Sequence, residues 1–557
     1  VSADIVIRGG TVVDGTGAPG RVADVAVADG RIAEIGAGLR GGRELDASGC
    51  VVAPGFIDIH THYDAQVFWD PALTPSSWHG VTTVVAGNCG FSIAPCRPEH
   101  RGLIGRTLQH VEDMSLPTLQ AGIPWDFETF PEYLDSVERR GTVLNYTAYV
   151  GHTAVRLWVM GDDGYERAAT PEELERMAVV VREAVEAGAV GFATTSAQTH
   201  NGDGGRPVPS RLADIAELEV LVSPLRELGR GVGAFTPGER VKHPEIYDLQ
   251  KRIGRPFTWT ALLTIKGSPF AQEMLDLNTY ERADGADVWP QVTCRPLTFQ
   301  MTMEDPFTFN LVAAFRALMD RPVEQRIAAY RDPEWRRVAQ DELQNSRSFR
   351  GWDVTTVAEC RSHPELENRT IADLVAERGV EPLDLVLQLS VDENLTTRFR
   401  TVLANNDEDM IETLLTQPGM LIGLSDAGAH VSQLCDACLP TDLLGNWVRE
   451  REVLPLEAAV HKLTGEPAEV FGFTDRGELA AGKAADITVF DPATVAPGGL
   501  RRVRDFPADG ERLVADRPEG VRHVVVNGTP IRVDGDPDPD AVATRPGHVL
   551  RGQTGGQ

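Results

Sequence analysis

The chain has 557 residues, 42% hydrophobic and 24% charged, which excludes a fibrous or disordered class and is too long for one ordinary core, so two domains are expected, one of them large. Its 53 Lys and Arg against 82 Asp and Glu leave a formal charge of 53 − 82 = −29, which argues against binding a nucleic-acid backbone or an anionic membrane. Seven scattered cysteines make no disulfide framework, and neither a signal-peptide pattern nor an apolar run of bilayer length is present, so a cytoplasmic location is expected.

The first fifty residues alternate in short β-like runs (3–8, 22–27 and 31–35), separated or followed by glycine turns, and 485–491 and 521–528 have the same texture. The two ends, 1–53 and 476–557, are expected to pair into a small β-sandwich domain that runs out in a Pro-, Asp- and Gly-rich tail after about Asp534. Between them, 54–475 alternates short apolar strands with helical stretches. Strands are predicted to end at His62, Cys89 and His152, and to occupy 189–194, 231–236, 257–264, 288–293 and 420–426. Eight parallel strands of this kind predict an α/β chain folded as a TIM (β/α)8 barrel. Thr170-Pro171-Glu172-Glu173 opens a helix to Ala187 as cap, first-turn proline and acidic first turn. Residues 297–418 are too many for one connection and read as a mostly helical insertion.

The chemistry starts at Gly55-Phe56-Ile57-Asp58-Ile59-His60-Thr61-His62. Strand side chains alternate, so His60 and His62 share a side, a natural pair of metal ligands at a barrel mouth. Cys89, His152, Lys266 and Asp426 fall at other strand C-termini, which converge on the same mouth. Each has a bland alternative: Cys89 as a small buried hydrophobe, Asp426 as a helix cap, His152 bonded to a neighbouring loop, Lys266 as a surface charge. Cys435-x-x-Cys438 has no second Cys/His pair at zinc spacing and reads as a loop feature.

Pro54 to Asp64, Gly80-Val81-Thr82-Thr83-Val84-Val85-Ala86-Gly87-Asn88-Cys89-Gly90, Val150-Gly151-His152 and Ser425-Asp426 resemble the amidohydrolase superfamily, specifically its N-acyl-D-amino-acid deacylase (D-aminoacylase) branch. Gly9-Gly10-Thr11-Val12-Val13-Asp14-Gly15 and Gly482-Lys483-Ala484-Ala485-Asp486 match the sandwich halves of that family. The resemblance implies a distorted TIM barrel with a β-sandwich, and metal-activated water attacking an amide. It also implies two histidines, from strands five and six, that make the principal zinc site with the cysteine. Here those places fall on Thr236 and Thr264, and neither strand contains a histidine; Glu239 and His243 are the nearby substitutes. The family's carboxylate-holding arginine has no counterpart in 429–436, whereas Lys266 matches a family lysine near the substrate.

The expected centre is therefore one divalent metal per chain, most simply Zn2+, held by His60, His62 and Asp426 with Cys89 as fourth ligand. Asp426 is the expected base, with His152 and Lys266 on the substrate. The leading reading is a metal-dependent amidohydrolase cleaving a C–N amide bond of an N-acyl (D-)amino acid or related small molecule, in a monomer or homo-oligomer. The alternatives are the same fold with a changed reaction (lyase, isomerase, ring or ester hydrolysis) and a non-catalytic binding barrel.

Overall fold

In the computed structural model, residues 3–309, 312–319, 321–346 and 351–551 are described. All eight expected barrel strands are present: β1 (Phe56–Asp58), β2 (Val81–Ala86), β3 (Asn145–Gly151), β4 (Gly191–Thr195), β5 (Val232–Thr236), β6 (Phe257–Trp259), β7 (Val288–Val292) and β8 (Leu421–Ile422). Each pairs in parallel with the next in chain order, giving one curled eight-stranded sheet. The ring closes just beyond the strand ends, where Thr61 and Ala427 form a parallel bridge and His62 N–H donates to the Ala427 carbonyl at 2.7 Å. The closure thus lies within the His60–His62 segment itself.

The barrel strands are buried along almost their whole length, as parallel strands covered by helices must be. Phe192, Phe235, Phe257 and Trp259 lie in the main core with the apolar faces of helices Pro171–Ala187 and Ile215–Leu228. The first of these helices carries the expected capping box at Thr170 and Glu173.

Strands from both chain ends join in one nine-stranded sheet. The seam is Val51–Pro54 running antiparallel to Ile487–Phe490, with Val52 opposite Val489. Asp486 anchors this sheet to the barrel: it accepts from Asn145 Nδ2 at 2.9 Å and from the Asn527 N–H at 2.8 Å, and pairs with Arg476.

Two expectations change. The stretch after Asp534 is not a free tail: Pro539–Thr544 is helical, and Tyr146 at the start of β3 exchanges backbone hydrogen bonds with His548 and Leu550. Unmet backbone groups at the edge of β3 are satisfied there, a signal that composition does not carry. The insertion is mostly helical but holds an antiparallel sheet of Leu297–Thr302, Arg398–Ala404 and Thr355–Glu359, over a core of its own that includes Met301, Phe315, Leu387 and Phe399. Its strands are half-exposed and carry charged residues, so their apolar alternation is weak.

Candidate active site

β1 ends at Asp58, and the following turn is braced from both sides. Asp58 Oδ1 accepts from the His60 N–H at 3.2 Å, and Ser425 Oγ donates to the His60 carbonyl at 3.0 Å. Asn88 Nδ2 reaches the carbonyls of Ile59 and Val85. His60 and His62 are buried, with ring centroids 5.4 Å apart.

Both Nε2 atoms face Asp426: His60 Nε2 lies 3.0 Å and His62 Nε2 3.6 Å from Asp426 Oδ1. Cys89 Sγ is 3.8 Å from His60 Nε2, and the ligand atoms of His60, His62 and Cys89 all lie within 4.8 Å of one another. Two loop residues reach this point through left-handed backbone, Cys89 at φ 55° and Asp426 at φ 44°; such strain at non-glycine positions is characteristic of functional sites.

The other ring nitrogens face away. His60 Nδ1 donates to Gln291 Oε1 of β7 at 2.6 Å, with Thr260 Oγ1 at 3.4 Å. His62 Nδ1 lies 3.0 Å from Glu112 Oε1, which follows helix Arg101–Val111 in the long excursion after β2. Each imidazole thus turns one nitrogen to a protein acceptor and the other into the site, the arrangement that fixes a metal-binding tautomer.

The electrostatics follow. Burial disfavours a charged His60, but the Asp426 carboxylate outweighs it and holds the ring up at about 10. His62 is likewise raised, against burial, by Glu112 and Asp426. Burial pushes the Cys89 thiol up, yet hydrogen bonding with His60 and His62 brings it down to about 7. Asp426 is half-buried, and although desolvation pushes its carboxyl up, the two imidazoles keep it well below the usual carboxylate range. The four groups share protons that a cation would displace.

The other expected residues lie in different settings. His152 starts helix His152–Met160 with Nδ1 on Thr194 Oγ1 at 2.8 Å and Nε2 on Glu217 Oε1 at 2.9 Å, so neither ring nitrogen is left for a substrate. Lys266 is exposed on the loop after β6, its backbone N–H held by Asn406. Thr236 is the last residue of β5. Thr264 is not at the end of β6; that strand stops at Trp259, and the Thr264 hydroxyl accepts from the Asp407 N–H at 3.1 Å. The residue of that segment beside the histidines is Thr260. Glu239 is bonded to Gln198, and His243 meets Trp259 edge-on with ring centroids 4.6 Å apart, so neither replaces a ligand. Cys435 and Cys438 are buried free thiols in the loop region after β8.

Sequence reasoning missed Gln291, Glu112 and His200. Gln291 did carry a signal, a lone amide in the apolar strand Val288–Val292. Glu112 carried none, because nothing local links that excursion to β1. His200, on the loop after β4, hydrogen-bonds Thr195 Oγ1 at 2.7 Å and meets Phe91 edge-on. The insertion also reaches the mouth: Phe299 packs on His430 at 4.9 Å, and Gln300 N–H donates to the Gln433 carbonyl.

Comparison with known proteins gives the family and the fold. Residues 43–532 match the profile described as the amidohydrolase family. A D-aminoacylase from Alcaligenes xylosoxydans xylosoxydans is 31% identical, over 95% of this chain and 94% of the relative. A D-aminoacylase structure addressing a binuclear metal centre, with one-metal activation and second-metal attenuation, superposes with TM-score 0.67 at 28% identity, covering 99% of this chain and all of that one. N-acyl-D-glutamate deacylase from Bordetella bronchiseptica, complexed with zinc and a phosphonate mimic of the tetrahedral intermediate, gives TM-score 0.66 at 28% identity with the same coverage.

Proposed function

The chain belongs to the amidohydrolase family, and on that premise we propose that it deacylates N-acyl-D-amino acids or closely related small amides. It is a hydrolase of non-peptide carbon–nitrogen bonds that depends on a divalent metal. The observation carrying the reading is the convergence of His60 Nε2, His62 Nε2, Cys89 Sγ and Asp426 Oδ1, with both Nδ1 atoms turned to protein acceptors. Two imidazoles, a thiol of lowered pKa and a carboxylate are a donor set suited to Zn2+. His60, His62 and Asp426 would hold it, with Cys89 as a fourth donor; Thr236 and Thr260 supply no imidazole for a second ion, so one per chain is the count.

Such an ion supplies a water of lowered pKa and polarises the scissile carbonyl. Asp426 then does the proton work. Its Oδ1, held between the two imidazoles, takes a proton from the attacking water and returns it to the departing amine nitrogen, so the amide and water become a carboxylic acid and an amine. Lys266, on the β6 loop, is the cation for the substrate carboxylate. His152 shapes the mouth: bonded at both nitrogens, it ties the end of β3 to Thr194 of β4 and to Glu217.

The test is turnover of N-acetyl-D- and N-acetyl-L-amino acids by the metal-loaded protein and by D426N. Preference for D-substrates, with kcat lowered about 10^2- to 10^4-fold in D426N, is expected. Release of no amine from either series, with turnover of cyclic amides or esters instead, overturns the substrate assignment.

A further inference from the structure

We propose that Glu112 is a positioning residue that fixes His62 for metal binding, brought to the site by the excursion between β2 and β3. The proposal rests on the metal-site reading above. Its basis is a matched pair of buried atoms. Glu112 Oε1 and His62 Nδ1 lie 3.0 Å apart, with side chains only 4% and 6% exposed. At the angle between them neither gains a well-aligned hydrogen bond, and among the described residues neither has another partner. Two buried polar atoms that can satisfy only each other are costly until they align. A modest turn of the imidazole aligns them. That turn leaves Nδ1–H donating to Glu112 and presents the Nε2 lone pair to the side where Asp426 and Cys89 already lie.

Glu112 is on the far side of the ring from Nε2, so it acts through His62 and touches no reacting atom. It differs from the acceptor behind His60: Gln291 is a neutral amide on a barrel strand, whereas Glu112 is a carboxylate on a segment outside the barrel sheet. A carboxylate behind a ligating imidazole raises its basicity and fixes its tautomer. The next residue shows why the excursion sits where it does. Asp113 Oδ2 accepts from the Ser432 N–H at 3.0 Å, pinning the segment to the loop after β8. Asp113 therefore provides a control, equally local but with no contact to an imidazole.

The experiment measures Zn2+ affinity of the full chain by competition with a chelating dye, and the visible spectrum of the Co2+ form. Wild type, E112A, E112Q, D113N, H62A and H62A/E112A are compared. E112A is expected to bind Zn2+ about 10- to 100-fold more weakly than wild type. E112Q, which keeps the shape and one acceptor oxygen, is expected to recover part of the loss, and it carries the test if E112A fails to fold. D113N should keep the wild-type affinity, and E112A should add nothing in the H62A background. Wild-type affinity and Co2+ spectrum in both Glu112 variants overturn the proposal while leaving the metal site standing. Failure of wild type itself to bind either ion overturns the site and this role together.

Discussion

Four of the five histidines buried among the described residues divide by where their ring nitrogens go. His60 and His62 each turn one nitrogen to an acceptor and one into the site. His79 and His152 have both engaged, His79 with Thr441 Oγ1 at 2.8 Å and the Ala515 carbonyl at 2.7 Å. Burial drives the His79 pKa down to about 4, against the Ala515 carbonyl, which raises it. The folded-state value therefore lies below the unfolded value of 6.5, so the unfolded chain takes the proton first as pH falls. At about 1.4 kcal/mol per pH unit, His79 removes on the order of 3 kcal/mol of stability between about pH 6.5 and about pH 4. Urea midpoints across that range should fall less steeply in H79N than in wild type, although H79N is the less stable at pH 7; identical slopes would show that this ring is not responsible. The residue pattern made His60 and His62 legible because strand alternation puts them on one side. It did not separate His152 from them, because ring-nitrogen partners such as Glu217 arrive from distant elements.

At the scale of elements, strand ends and one helix cap were legible, and the pieces that close over the barrel were not. The hairpin of Arg501–Phe506 and Gly510–Val514 leaves the terminal sheet and lies against the barrel loops, where Leu513 N–H donates to the Val431 carbonyl and Thr118 Oγ1 to the Pro507 carbonyl. Arg512 is its anchor: buried at 6% exposure, it donates to Thr74 O at 2.7 Å and Thr74 Oγ1 at 2.8 Å, pairs with Asp505 and covers the Phe506 ring. R512A leaves buried acceptors without a donor and should cost about 3 kcal/mol in urea unfolding. Arg504 of the same hairpin is 59% exposed and pairs with Asp509 and Glu511 in solvent. R504A should change stability by no more than about 0.5 kcal/mol, and equal losses in the two variants would contradict the anchoring role. Such an arm is hard to read from sequence, since a charged two-stranded ribbon has no apolar face to announce its packing.

At the scale of the molecule, the site exists because the barrel closes there. Thr61 and Ala427, 366 positions apart, complete the ring, and their neighbours His60, His62 and Asp426 meet as a result. No helix of the described residues is long and apolar enough to cross a membrane. The eight-strand count and the family resemblance made this closure foreseeable, together with the partnership of the His-x-His pair and a distant aspartate. At the places where the resemblance implies two further histidines this chain has hydroxyl residues, and the structure puts Thr260 rather than Thr264 beside His60. What remained hidden was the ring of acceptors, Gln291 and Glu112, that gives the pair its orientation. The account stands on one metal held by that pair. Zinc content of the full chain purified without chelators tests this most directly, beside H60A/H62A prepared in the same way. About one equivalent per chain, lost in the double variant, is predicted. Two tightly held equivalents, none after loading, or one retained without both histidines would contradict it.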